Sequence, residues 1–201
     1  MSLELVENAI ANLDAGQFQN LSRAFINKKL KNYSCQANGS MIGSVKTTKS
    51  HPDCLFINNS DNKFVMVECT TQQTGLGKKL KSDIDACIDK IQTKIPVSNI
   101  EEIIFCYSNG KIPNEDILKQ KERLLSLGLK LELISVFDMA FYIEDKYPEL
   151  ALEFLGINLY KSLNILSVYE FINDSNNGLS PSLVKTFSSR DNEIEAVSYT
   201  H

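Results

Sequence analysis

Apolar residues recur at three- to five-residue steps through residues 3–30, at Leu5, Ile10, Leu13, Phe18, Leu21, Phe25 and Ile26. That spacing lines one face of a helix, and Gly16 suggests a break into two. Residues 31–50 are polar, carry Gly39 and Gly43, and leave room for a short first strand near "SMIGSVK". The period then shortens. "CLFIN" and "KFVMVECT" are brief apolar runs around the turn "NNSDNK", which predicts a two-stranded hairpin. "KKLKSDIDACIDKIQTK" returns to helical spacing, with Leu80, Ile84, Cys87, Ile88 and Ile91 on one stripe and Pro96 closing the helix. "EEIIFCYSN" suits a buried strand, and "NEDILKQKERLLSLG" a helix with an Asn or Asp cap at its start and Gly128 at its end. "LKLELISV" reads as another strand and "FDMAFYIEDKYPELALEFLG" as a final helical region.

The order is therefore helix, three strands, helix, strand, helix, strand, helix. Strands separated by helices imply crossovers, so the expected fold is α/β: a mixed central sheet, antiparallel hairpin plus crossover strands, flanked by helices on both faces. The character changes near residue 160. "FINDSNNGLSPSLVKTFSSRDNEIEAVSYTH" is rich in Asn and Ser and has little periodicity before its last dozen residues. Residues 1–160 are expected to form one domain, and 161–201 a linker and the start of a following one.

Composition narrows the class. The chain has 201 residues, 43% hydrophobic and 23% charged, enough for a core and too apolar for wholesale disorder. No apolar run reaches membrane-spanning length, and the acidic start "MSLELVENAI" is unlike a signal peptide, so a soluble cytoplasmic protein is expected. Five scattered cysteines without C-x-x-C spacing, three of them in apolar runs (Cys54, Cys69, Cys106), fit buried reduced thiols. Two histidines exclude a histidine-rich metal site.

The net charge of −4 argues against a polyanionic partner until its distribution is considered. Residues 15–52 hold Arg23, Lys28, Lys29, Lys31, Lys46 and Lys49 and no acid, and Lys78, Lys79 and Lys81 follow the hairpin. Such a surface suits phosphate contact, and equally a solvated helix face.

The hairpin carries the candidate chemistry. Symmetric pairing about Ser60 and Asp61 opposes Asn58 to Lys63, Ile57 to Phe64, Leu55 to Met66 and Asp53 to Glu68. Alternation adds Thr70 to the Asp53–Glu68 face, and Gln72 if the strand continues. Two opposed carboxylates repel unless a cation lies between them. A hard divalent ion such as Mg²⁺ (or Mn²⁺) answers that need, with Asp53 and Glu68 as ligands. The bland alternative leaves one acid in solvent and no ion bound.

"PD" (Pro52, Asp53), fourteen intervening residues and "ECT" (Glu68, Cys69, Thr70) resemble the motif of the PD-(D/E)XK nuclease superfamily. "GQFQNLSRAFI" (Gly16 to Ile26) is similar to the first helix of its Mrr-like, restriction-type branch. The resemblance covers about residues 5–145 and implies a restriction-endonuclease-like core, Mg²⁺-dependent cleavage of DNA, and the Cys69 carbonyl as a further ligand. It places Gln19 where that branch has a metal-assisting Glu. It also puts Thr70 where the motif has lysine, so the cation would come from Lys78, Lys79 or Lys81, with Thr70 or Gln72 positioning water. Arg23, Lys28, Lys29, Lys46, Lys49 and Lys78 would track the nucleic-acid backbone. The alternative is a catalytically inactive nucleic-acid-binding or oligomerisation module on the same fold.

"TFSSRDNEIEAV" resembles the segment that precedes the nucleotide-binding module of STAND-type NTPases, through Arg190, Glu193 and Ile194, with Ser189 in place of Gly. That likeness implies the effector domain of a bacterial antiviral defence protein, a homo-oligomer when part of the full-length chain.

Four other features carry less. "TGLGKKL" fails as a Walker A loop, having Gln72 at the first glycine position and Lys79 after the Gly77–Lys78 pair. His51 lies two residues before Asp53 and reads first as a loop histidine, Tyr107 as a core or rim aromatic, and Asp83 and Asp85 as surface charges of a helix.

Overall fold

The computed structural model describes residues 2–37 and 51–159. Two helices open the chain, α1 (Ser2–Ala11) and α2 (Ala15–Lys29). The break falls before Gly16, because Asp14 caps α2: its carboxylate accepts the Gln17 N–H at 2.8 Å, while the Gln17 side chain accepts the Asp14 N–H. Gly16 lies inside α2, and Leu5, counted with the apolar face, is 55% exposed. Three strands follow, β1 (Tyr33–Ala37), β2 (Cys54–Asn58) and β3 (Phe64–Thr70). The first strand thus precedes the expected "SMIGSVK", which lies outside the described residues.

Beyond the hairpin come α3 (Leu76–Ile88), the single turn α4 (Lys90–Thr93), β4 (Ile100–Tyr107), α5 (Asn114–Ser126), β5 (Lys130–Ser135), α6 (Val136–Lys146) and α7 (Pro148–Leu155). Asp89 interrupts α3 and caps α4 through the Ile91 N–H, which throws Ile91 off the apolar stripe to 78% exposure. Pro113 precedes α5 and no side chain caps that helix, so Asn114 is its first residue and not its cap. Gly128, at φ +75°, ends it as expected. The last helical region is two helices, parted where Pro148 begins α7.

The sheet has five strands in the order β1-β2-β3-β4-β5. β1, β2 and β3 are antiparallel neighbours, while β3–β4 and β4–β5 are parallel and joined by helical crossovers. The fold is the expected α/β mixed sheet. One core lies between the sheet and α1, α2, α6 and α7, around Phe18, Phe25, Val65, Val67 and Ile104; the other lies beneath α3 and α5, around Met66, Leu80, Ile84, Ile103 and Phe105. Cys54 and Cys106 are buried, Cys69 is half-buried, and all are free thiols. Among the described residues, no helix is long and apolar enough to cross a membrane.

The hairpin register is the one expected from its turn: Cys54 opposes Val67, Leu55 Met66, Phe56 Val65, and Ile57 Phe64. Five residues, 71–75, link β3 to α3, and Gly75 at φ +70° begins the helix. The register and the short link fix where the chemical side chains fall.

Candidate metal centre

Side chains of β3 alternate between the two cores. Val65, Val67 and Cys69 pack on the α2 side, and Met66 on the α3 side. Glu68 and Thr70 therefore continue the Met66 face, and Glu68 is carried 2% exposed beneath α3. Its Oε1 lies 2.8 Å from His51 Nδ1 and accepts the Cys87 thiol at 3.4 Å.

Asp53 sits one residue before β2, and one oxygen of its carboxylate, Oδ2, accepts the Cys69 N–H at 2.8 Å. Gln19, buried on α2, donates through Nε2 to the Asp53 carbonyl at 3.3 Å. Asp53 is thus held from both layers. Of the expected pair of metal ligands, Glu68 belongs to the group of ligand atoms that converges, and Asp53 stands outside that group. Among the described residues, ligand atoms of His51, Glu68 and Asp83 lie within 4.8 Å of one another. That is about twice the ~2.0–2.6 Å of a divalent metal–oxygen bond, so this group could hold a metal ion.

Asp83 corrects the reading of that residue as a surface charge. It is 1% exposed, because α3 lays it against Glu68. Lys79, one turn earlier, donates to Asp83 Oδ1 at 2.6 Å. Among the described residues, Asp83 Oδ2 is buried with no hydrogen-bond partner. An unsatisfied buried acceptor costs on the order of 1–3 kcal/mol, which a cation would offset. The sequence did carry a signal: Asp83 falls three residues after Leu80 and four before Cys87, in step with the apolar stripe. Asp85 is two positions out of phase, half exposed, and bonds Arg123 at 2.6 Å.

Three acids lie in this cluster, and burial raises the carboxyl of each. Burial pushes the Glu68 carboxyl up to about 9, and the charges of Asp53 and then Asp83 push the same way, while the Cys87 bond and Lys79 oppose. Burial also raises Asp53 against its bond from Cys69, with Asp83 raising it further. Asp83 is raised by burial and lowered by Lys79.

The other expected site residues divide. Lys79 joins the cluster; Lys81 is mostly exposed, 3.9 Å from Asp85. Lys78 is exposed on the first turn of α3. Thr70 is buried with its hydroxyl accepting the Gln72 N–H at 3.2 Å, so it closes the strand end. β3 stops at Thr70, so alternation does not carry Gln72 inward; Gln72 is exposed and donates to the Thr74 carbonyl. Cys69 gives its N–H to Asp53. On α2, Lys28 pairs with Glu149 at 3.0 Å and Lys29 with Glu132, so these two charges of the basic stretch are partly neutralised. Arg23 is half-buried and its charge bears on Cys35 and Cys54. Lys46 and Lys49 lie outside the described residues, as do Arg190, Glu193 and Ile194.

No protein-family model matches this sequence, and no curated protein matches it.

Proposed function

We propose that this chain carries a metal-dependent endonuclease domain that hydrolyses DNA phosphodiester bonds. One observation carries the reading: Glu68 and Asp83 converge in a buried pocket with an unpartnered Asp83 oxygen, and a lysine is tied to the same pocket. Glu68 and Asp83 hold a divalent ion, Mg²⁺ or Mn²⁺, near Asp53. When bound, the ion lowers the pKa of water and offsets charge on a phosphate. Asp53 keeps the end of β3 in place through the Cys69 N–H, and Gln19 holds the Asp53 backbone. Lys79, partly exposed on α3 and paired with Asp83, supplies the cation that Thr70 cannot. In the reaction a water oxygen bonds to phosphorus, the bond from phosphorus to the departing sugar oxygen breaks, and a proton from the water ends on that sugar oxygen.

The resemblance of Pro52–Asp53 and Glu68–Thr70 to PD-(D/E)XK nucleases supports this reading, as does the order of a hairpin, a helix and a parallel strand. The role as effector of an antiviral NTPase rests on the likeness around Arg190, Glu193 and Ile194. A second reading, an inactive nucleic-acid-binding or oligomerisation module, is favoured by Thr70 in the lysine position and by the pairing of Lys28 and Lys29 with glutamates.

The test is cleavage of plasmid DNA by the full-length protein in Mg²⁺ or Mn²⁺, beside Glu68→Gln and Asp83→Asn. Loss of cleavage in both variants, with DNA binding kept, supports the enzyme. Cleavage that survives both substitutions removes the site, and DNA binding without cleavage under every metal condition favours the inactive module.

A further inference from the structure

We infer that His51 is a nitrogen ligand of this centre and makes it prefer Mn²⁺ to Mg²⁺. The inference deepens the metal part of the reading above and is independent of its nucleic-acid part.

The argument starts from the donor set. Glu68 and Asp83 offer oxygen only, and an all-oxygen site serves Mg²⁺ well. The third converging atom is an imidazole nitrogen, His51 Nδ1, 2.8 Å from Glu68 Oε1. Imidazole favours transition ions over Mg²⁺, while carboxylates accept both Mg²⁺ and Mn²⁺, so a mixed site leans to Mn²⁺. Position agrees with this role. His51 precedes Pro52 and Asp53, and Asp53 is tied to β3 by its bond to Cys69. The histidine is thereby held at the open side of the pocket, its side chain 36% exposed, while Glu68 and Asp83 form the dry floor.

The unpartnered Asp83 Oδ2 is the separate sign that a ligand belongs here. Lys79 engages the other oxygen of that carboxylate, so Asp83 can keep its lysine and still offer Oδ2 to an ion. The Cys87 thiol also touches Glu68, and sulfur would likewise favour softer ions. Nitrogen and sulfur are separable by spectroscopy.

The experiment uses the intact chain stripped with chelator, then titrated with Mn²⁺ alone and with Mg²⁺ in competition, followed by the electron-spin resonance of free Mn²⁺. The expected wild-type dissociation constant for Mn²⁺ is at least about tenfold below that for Mg²⁺, and His51→Asn brings the ratio down by about tenfold. Pulsed electron-spin resonance of the wild-type Mn²⁺ complex should show the ¹⁴N modulation of a bound imidazole, lost in His51→Asn and kept in Cys87→Ala. That measurement on the wild type stands even if a variant fails to fold. An unchanged metal ratio in folded His51→Asn, a wild-type complex without ¹⁴N modulation, or no Mn²⁺ binding at millimolar concentration would each overturn the inference. DNA cleavage in Mg²⁺ by a chain without the nitrogen signal would retain the nuclease and discard this ligand. The nitrogen signal in a chain that cuts nothing would do the reverse.

Discussion

Replacing Glu68 by Gln should flatten the pH dependence of stability in the metal-free protein. Glu68 is buried beside Asp53 and Asp83, and burial first, then those charges, holds its carboxyl up at about 9. In the unfolded chain it titrates in the ordinary carboxyl range. A raised folded pKa stabilises the fold fully at pH below the unfolded value, and the stabilisation is lost as pH rises toward the folded value. Between pH 6 and 8 the folded state keeps one proton that the unfolded state has released. Stability then falls by about 1.4 kcal/mol per pH unit, or about 2.7 kcal/mol across that window. Gln has the shape of the protonated side chain and no such proton, so wild type and variant should agree within about 1 kcal/mol only at or below the ordinary carboxyl range; by pH 6 the variant should already be the more stable by about 2 kcal/mol, and the gap should widen by about 2.7 kcal/mol more at pH 8. Asp53 and Asp83 are raised by burial as well, so both proteins keep a residual slope at lower pH. The assay is urea unfolding in chelator at pH 6, 7 and 8, read as the difference between the two proteins. Parallel curves would refute the reasoning, and would mean that Glu68 is already ionised in the metal-free fold. A metal must displace the same proton, so its apparent affinity for the wild type should rise about tenfold per pH unit below 9.

Lys79→Met strands the buried Asp83 carboxylate, so unfolding in chelator should show a loss of about 1–3 kcal/mol, and Lys79→Met combined with Asp83→Asn should recover part of it in a double-mutant cycle. Gly110→Ala should lower the urea midpoint by an amount worth about 2–3 kcal/mol, since φ is +72° and the added Cβ would meet the Gln73 carbonyl oxygen at 2.6 Å. Asp14→Ala removes the capping box of α2 and should cost about 0.5–2 kcal/mol by thermal or urea unfolding.

The hairpin was legible because a period of two and a short turn leave one register that buries Leu55, Met66, Val65 and Val67 together. The parallel strands were legible as continuous apolar runs between helices. β1 was missed because only Tyr33 and Cys35 turn toward the core, too few to stand out among polar neighbours. The helix break was placed at Gly16, since a glycine advertises flexibility, whereas the side chain of Asp14 actually ends the connection. At the centre, Glu68, Lys79 and Gln19 were legible. Asp83 was not, because its charge was weighed ahead of its phase on the apolar stripe. His51 reads as a loop histidine for a similar reason: whether a loop side chain converges on buried acids depends on the local path of the chain, which no residue spacing encodes.

Apart from Gln19, the pocket is drawn from residues 51–87, one strand–strand–helix stretch, and its assembly depends on the five-residue link 71–75. A helix advances about 100° per residue, so one residue added to that link would turn Asp83 and Lys79 through more than a quarter of a circle if the link absorbed none of it. One residue added within β3 before Glu68 would instead pass the acid through the sheet, to the side of the cysteines. Length variation in this stretch is therefore tolerable chiefly at the tip of the Asn59–Asp61 turn, where it disturbs neither the alternation of the strand nor the rotation of the helix.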